Sequence, residues 1–324
     1  MAADGVTRPR RWRIALSIAL GGAGVALIAY FLHRTDLGEV AAALARLAAW
    51  LPVLLAIEGL RIGVEAAGTR SLYRLGRRQL PTGALLRAHV IGYSLAFYMP
   101  AGRAAAETVK ATLLARWSTA ARAAAVAAAN QSLALLGLAL AALACLAGAA
   151  TLPGTENLVA ALGVVAAVTG GLGVAIRFAT LRIRGRWVRR FAPRLARIVD
   201  DARTEVPRFV PALPLALFLV NRALQLVSIA VLLHAVGGAV SPAAVLAAGG
   251  VNLVGASLGD MVPGQLGTTD ATFSVSAGLL GLTPEAAISI ALTIHVIQMT
   301  WMAIGLAIEI ALHLVGTVHG KRVV

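Results

Sequence analysis

Glu58, Arg61 and Glu65 stand at i, i+3 and i+7 in an otherwise apolar stretch, a spacing that puts all three on one face of a helix. A charged stripe of this kind cannot face lipid, so it faces a helix bundle or a wet cavity. Two readings stay open: a static ion-pair network, or groups that bind and gate. Further on, Pro100-Ala101-Gly102 interrupts a second apolar stretch, and Arg103, Glu107 and Lys110 follow it. A third stretch is broken at Pro263-Gly264-Gln265-Leu266-Gly267, with Asp270 just beyond. A proline break frees backbone N–H groups at the start of the next helix, which suits an anionic group such as a phosphate. Nearby arginine would pair with that anion, and carboxylates could carry protons; for Asp270 the competing role is helix capping. Asn221 and Gln225 share a helical face beside Arg222, and Asn130, Gln131, His295 and Gln298 are polar residues in apolar surroundings.

The candidates to bind a substrate are therefore Arg61, Arg103, Glu107, Lys110, Asn221, Arg222, Gln265 and Asp270. Those for gating or proton coupling are Glu58, Glu65, Glu107, Asp270 and His295. His33, His89, His234, His313 and His319 show no metal spacing, and Cys145 is the single cysteine. No catalytic residue, metal or cofactor is expected.

The two breaks belong to one pattern used twice. Gly92-Tyr93-Ser94-Leu95, four residues and Pro100 recur as Gly255-Ala256-Ser257-Leu258, four residues and Pro263. Each copy places a carboxylate seven residues after its proline, Glu107 and Asp270, and the same offset of 163 lays Asn221 over Glu58. Paired, broken helices in corresponding halves of a membrane chain point to a binding site at the middle of a transporter.

The elements that carry these residues are membrane spans. Hydrophobic residues make up 59% of the 324 and charged residues 13%, about half of what a soluble domain carries. Residues 14–32 and 158–176 are charge-free and long enough for a hydrocarbon core of about 30 Å. The first lacks a cleavage site and reads as a retained span rather than a signal peptide. The net charge of +15 is almost all arginine and sits between the apolar runs, which indicates cytoplasmic loops against anionic lipid headgroups rather than nucleic acid.

Counting charge in the connections gives spans near 14–32, 50–68, 119–150, 158–176, 210–236 and 286–315, with both termini cytoplasmic. Residues 82–116 and 242–282 each divide at their proline into arms of 14–18 residues. They are expected to form re-entrant hairpins or pairs of short spans. The fold expected is all-α and polytopic, with two inverted-topology repeats of three spans plus a hairpin. A basic N-terminus, 1–13, precedes a first repeat at 14–150. The second repeat, 151–316, includes the basic connection 177–208, and a tail, 317–324, follows.

Gly255-Ala256-Ser257-Leu258-Gly259 also matches the G-x-S-x-G nucleophile pattern, and His295 could serve as its base. An intramembrane hydrolase or lipid-modifying enzyme is therefore one alternative. A partner of such an enzyme, docking through 177–208, is another.

Ala106-Glu107-Thr108-Val109-Lys110 resembles the Gly-Glu-x-x-Arg segment of the flippase-like family, the transmembrane domain of lysylphosphatidylglycerol synthases. Pro263-Gly264-Gln265-Leu266-Gly267-Thr268-Thr269-Asp270 resembles that family's Pro-Gly-Gly-x-Gly-x-Arg-Glu. Lys110 stands at an arginine position, Gln265 at a glycine, Thr269 at an arginine and Asp270 at a glutamate. The resemblance implies a translocase in the inner membrane, without the synthase domain. It would move a phospholipid, glycolipid or polyprenyl-phosphate-linked lipid between leaflets. A homo-oligomer stays open.

Overall fold

The computed structural model describes residues 11–74, 80–98, 102–182, 200–201 and 210–318. Among them there are eleven α-helices and no strand. In chain order these are α1 (Arg11–His33), α2 (Leu37–Ala48), α3 (Leu51–Arg74), α4 (Thr82–Tyr98), α5 (Gly102–Ala115) and α6 (Ala120–Ala149). After them come α7 (Glu156–Arg182), α8 (Ala212–Ala235), α9 (Pro242–Leu258), α10 (Thr268–Val275) and α11 (Pro284–Val318). Pro100, Ala101, both chain ends and most of the basic connection at 177–208 lie outside the described residues.

Local chemistry sets the boundaries. Thr119 caps α6 by accepting the Arg122 N–H, and Ser241 caps α9 through the Ala244 N–H with Pro242 at the first helical position. Thr283 does the same for α11 through Ala286, again beside a proline. Four helices, α6, α7, α8 and α11, are long and apolar enough to cross a membrane. By contrast α4 and α9 have 17 residues each and α5 has 14, at most about 26 Å of helix, short of a full hydrocarbon core.

Two elements depart from the expectation. Residues 37–48, read as a connection, form α2, which is bent by 63° from α3. Asp36 starts this helix by accepting the Gly38 and Glu39 N–H groups, and Val40, Ala43 and Leu47 bury one face against the core. The returning arm of the second hairpin is also not one continuous helix. It comprises the eight-residue α10 and then a turn with a short 3₁₀ segment at Gly278–Leu280, ending at Gly281 in the left-handed region. Gly278 and Gly281 end helical continuity there.

Each apolar helix buries one face in shared cores. The larger joins Leu54, Leu162, Leu232, Phe273, Ile290 and their neighbours, so it contains residues from both ends of the chain. α3 packs against α8, α4 against α5 and α11, and α6 against α5, α7 and α9. These contacts carry the charged stripe of α3 to the middle of the bundle.

Candidate functional site

Tight glycine contacts hold the hairpin arms together. A Cβ at Gly92 would stand 2.9 Å from Lys110 Cγ, and one at Gly255 would stand 2.9 Å from the Thr269 Cα. The repeated glycine thus lets α5 lie close on α4 and α10 close on α9. Ser94, in the same motif, donates to the Val90 and Met302 carbonyls, so it joins α4 to α11.

Inside the bundle the charged groups form two bonded sets, one around Glu58 and one around Glu65 and Glu107. Glu58 is held by Arg61 on its own helix and by the Tyr93 hydroxyl, 2.9 Å away on α4. Glu65 accepts from Lys110 at 3.0 Å, and Lys110 also lies 2.6 Å from Glu107. Glu107 takes the Asn130 amide at 3.0 and 3.1 Å. His89, hydrogen-bonded to Thr69 at 3.0 Å, faces Glu65 with its other nitrogen at 3.9 Å. Asn221 on α8 donates to the Arg61 carbonyl at 2.9 Å. Buried charges are tolerated when paired in this way, and the net contribution of each pair is small.

Two arginines are different. Arg103 and Arg222 make no ion pair with a carboxylate, and the Arg103 Nε is buried without a hydrogen-bond partner. Arg222 donates to Gln225 at 2.8 Å, and the charges of Arg103 and Arg61 repel it. Glu65 and Glu58 attract Arg222 less strongly and Glu65 also attracts Arg103, but among the described residues neither guanidinium forms an ion pair with a carboxylate.

The charged groups, with His89, Tyr93 and Asn221, line one cavity of about 860 Å³. Its charged lining is Glu58, Arg61, Glu65, Arg103, Glu107, Lys110 and Arg222, with the exposed Asp260 at its edge and His89, Tyr93, Gln131, Asn221, Gln225, Ser257, Gln265 and Gln298 around it. Its far wall is apolar. Val164, Val168 and Leu172 recur every four residues along α7, and each is more than half exposed.

The second hairpin reaches the cavity through Gly264 and Gln265. Both backbones are left-handed, with φ of 69° and 56°. Gln265 is the one non-glycine residue with positive φ among those described.

Of the residues singled out in the sequence, Glu58, Arg61, Glu65, Arg103, Glu107, Lys110, Asn221, Arg222 and Gln265 come together at this cavity. Asp270 and His295 do not line it. They pair behind it at 2.9 Å, where Asp270 also accepts the Gly267 N–H and so caps α10. His295 turns its Nε2 to Asp270 rather than to Ser257, so the G-x-S-x-G match has no histidine base at its serine. Tyr93 and His89 were not read from the sequence as site residues. The signal for Tyr93 was its place inside the repeated motif; His89 had none.

Long apolar helices around a charged internal cavity define an all-helical integral membrane protein. The chain belongs to the family described as the lysylphosphatidylglycerol synthase TM region, whose model matches residues 14–306. It is thus a membrane protein of a family tied to lipid synthesis or translocation. No curated protein and no solved structure matched it.

Proposed function

We propose that this protein is a lipid translocase, moving a phosphate-bearing amphiphile between leaflets: a phospholipid, a glycolipid or a polyprenyl-phosphate-linked lipid. The observation that carries the reading is the cavity, with two unpaired guanidinium groups in its lining and an exposed apolar wall on α7. An amphiphile is the ligand class that needs both. Its phosphate would lie between Arg103 and Arg222, where charge-assisted bonds are strongest, and its chains would follow Val164, Val168 and Leu172. Arg61, Lys110, Asn221 and Gln265 surround that position. Glu58, Glu65 and Glu107 hold the remaining cations in place, so that only the unpaired ones are free to take a ligand.

In this proposal the chain is built as two inverted repeats, α1–α6 and α7–α11, in the cell membrane with both termini cytoplasmic. The reciprocity of the packing supports the repeats. α4 lies on α11 as α9 lies on α6, α5 lies on α6 as α10 lies on α11, and α3 meets its counterpart α8 directly. A pseudo-two-fold axis through the α3–α8 contact generates each of these pairs from the other. The cavity at the junction is then the place from which either leaflet is reached.

The test is transport itself. Purified protein in vesicles should exchange a fluorescent phospholipid between leaflets, and Arg103→Ala should lower the rate while the protein stays folded. Exchange no faster than in protein-free vesicles would refute the reading.

A further inference from the structure

Asp270 is fully buried and His295 nearly so, on α10 and α11 behind the cavity wall. Capping accounts for Asp270 Oδ2, which accepts from Gly267 and faces His295 Nε2. It does not account for the other half of either group. Asp270 Oδ1 and His295 Nδ1 are both buried and make no hydrogen bond. An unmet buried polar atom is destabilising, and two in one pair are not what packing alone selects. Gln298 lies one helical turn from His295, lines the cavity and has a buried Oε1 that is also without a partner. The pair is therefore one turn away from the space that the headgroup would use.

We propose that Asp270 and His295 form a proton-carrying dyad that couples lipid movement to proton flow, a proposal that rests on the translocase reading above. In the empty state the imidazole is neutral, its Nε2–H donates to Asp270 Oδ2, and the dyad carries one negative charge. A proton entering by way of Gln298 and the cavity adds to the lone pair of Nδ1, giving an imidazolium–carboxylate pair of zero net charge. Release from the same atom restores the negative charge, and no other bond forms or breaks. A net charge ties the dyad to its polar neighbours, whereas the neutral pair changes surroundings more easily inside a membrane. Loading therefore permits α10 to repack against α11, and one proton moves with each such change.

Other titratable groups near these elements are engaged elsewhere or distant. α9, against α10, has none between Pro242 and Leu258. The described side chains of α1 include only Tyr30 and His33, and Arg34 donates to Tyr30. Asp260, between α9 and α10, is exposed. On α11, Glu285 and Glu309 are about 15 and 21 Å from His295 along the helix. Of the helices against α11, α2 brings Glu39 and Arg46. α3 and α4 bring Glu58, Arg61, Glu65, Arg70, Tyr73, Arg87, His89 and Tyr93, whose partners are within that set or are Lys110, Thr69, Thr82, Ser118 and Glu309. None of them bonds to the dyad.

The experiment uses vesicles holding the full chain and a fluorescent phospholipid, with a pH gradient imposed at zero membrane potential. The parent should move lipid several-fold faster with the gradient than without it. Asp270→Asn, which still caps α10, and His295→Gln should each lose that acceleration yet keep gradient-free exchange. Arg103→Ala should lower both rates. As a direct readout, His295→Gln in detergent should take up one proton fewer than the parent on acidification. A parent rate indifferent to the pH gradient, or driven by a sodium gradient instead, would overturn the dyad and leave the translocase reading intact. Acceleration that survives in His295→Gln would also overturn it. A parent that moves no lipid at all would remove both.

Discussion

Arg222→Leu and Lys110→Met each remove one positive charge from the same cavity, and their effects should be opposite in kind. Lys110 is buried and serves Glu65 at 3.0 Å and Glu107 at 2.6 Å. Without it two carboxylates share a low-dielectric space, Glu107 keeping Asn130 and Glu65 keeping only the more distant charges of Arg103 and His89. Breaking a buried pair of this kind costs about 3–5 kcal/mol. Arg222 has no ion-pair partner, is desolvated by burial and is repelled by Arg103 and Arg61 more than Glu65 and Glu58 attract it, so Arg222→Leu should leave stability within about 1 kcal/mol of the parent or raise it. What Arg222→Leu should lose is ligand. One hydrogen bond to a charged group contributes about 1.5–3 kcal/mol, which corresponds to a roughly 10- to 150-fold weaker anionic headgroup. Unfolding in detergent measures the first quantity. Titration with phosphatidylglycerol against phosphatidylcholine, read by native mass spectrometry, measures the second. The reasoning fails if Arg222→Leu is destabilised as much as Lys110→Met. It also fails if Arg222→Leu keeps parental affinity and headgroup preference.

Other substitutions examine the rest of the site. Gln265→Gly should stabilise the protein by about 1 kcal/mol, because φ of 56° strains any side chain but suits glycine; a loss of stability on unfolding in detergent would show that the glutamine side chain holds the turn. Gly255→Ala should destabilise, since its Cβ would meet the Thr269 backbone at 2.9 Å and force α9 and α10 apart; parental thermal stability would contradict that contact. Ser257→Ala should retain lipid exchange near the parental rate, and complete loss together with fluorophosphonate labelling of Ser257 would favour the hydrolase. For orientation, cysteines at Thr151 and Val240 in a Cys145→Ala background should react with an impermeant reagent from outside, and one at Arg182 only after the membrane is opened; the reverse would overturn the proposed insertion.

Period and charge made the helices legible. Apolar runs, the caps at Thr119, Ser241 and Thr283, and the prolines beside the last two mark where α6, α9 and α11 begin, because these effects act within a few residues. Spacing also put Glu58, Arg61 and Glu65 on one face, and the repeated glycine motif pointed to both hairpins. α2 was not legible in the same way: its amphipathic turn contains charges that read as a loop, and only its burial on the core shows it as a helix. Partners were beyond the reach of spacing as well. That Lys110 bridges Glu65 and Glu107, that Asn130 holds Glu107 and that Asp270 turns to His295 depend on which helices pack together. A helix presents a side chain to whatever neighbour the bundle supplies, and that neighbour lies dozens or hundreds of residues away. Composition and period alone specify a helical membrane chain whose charges must face inward, because lipid solvates neither bare backbone nor charge. Which of those charges pair, and that Arg103 and Arg222 have no carboxylate partner among the described residues, follows from how the helices pack, because an ion pair between helices needs their charged atoms brought within about 4 Å.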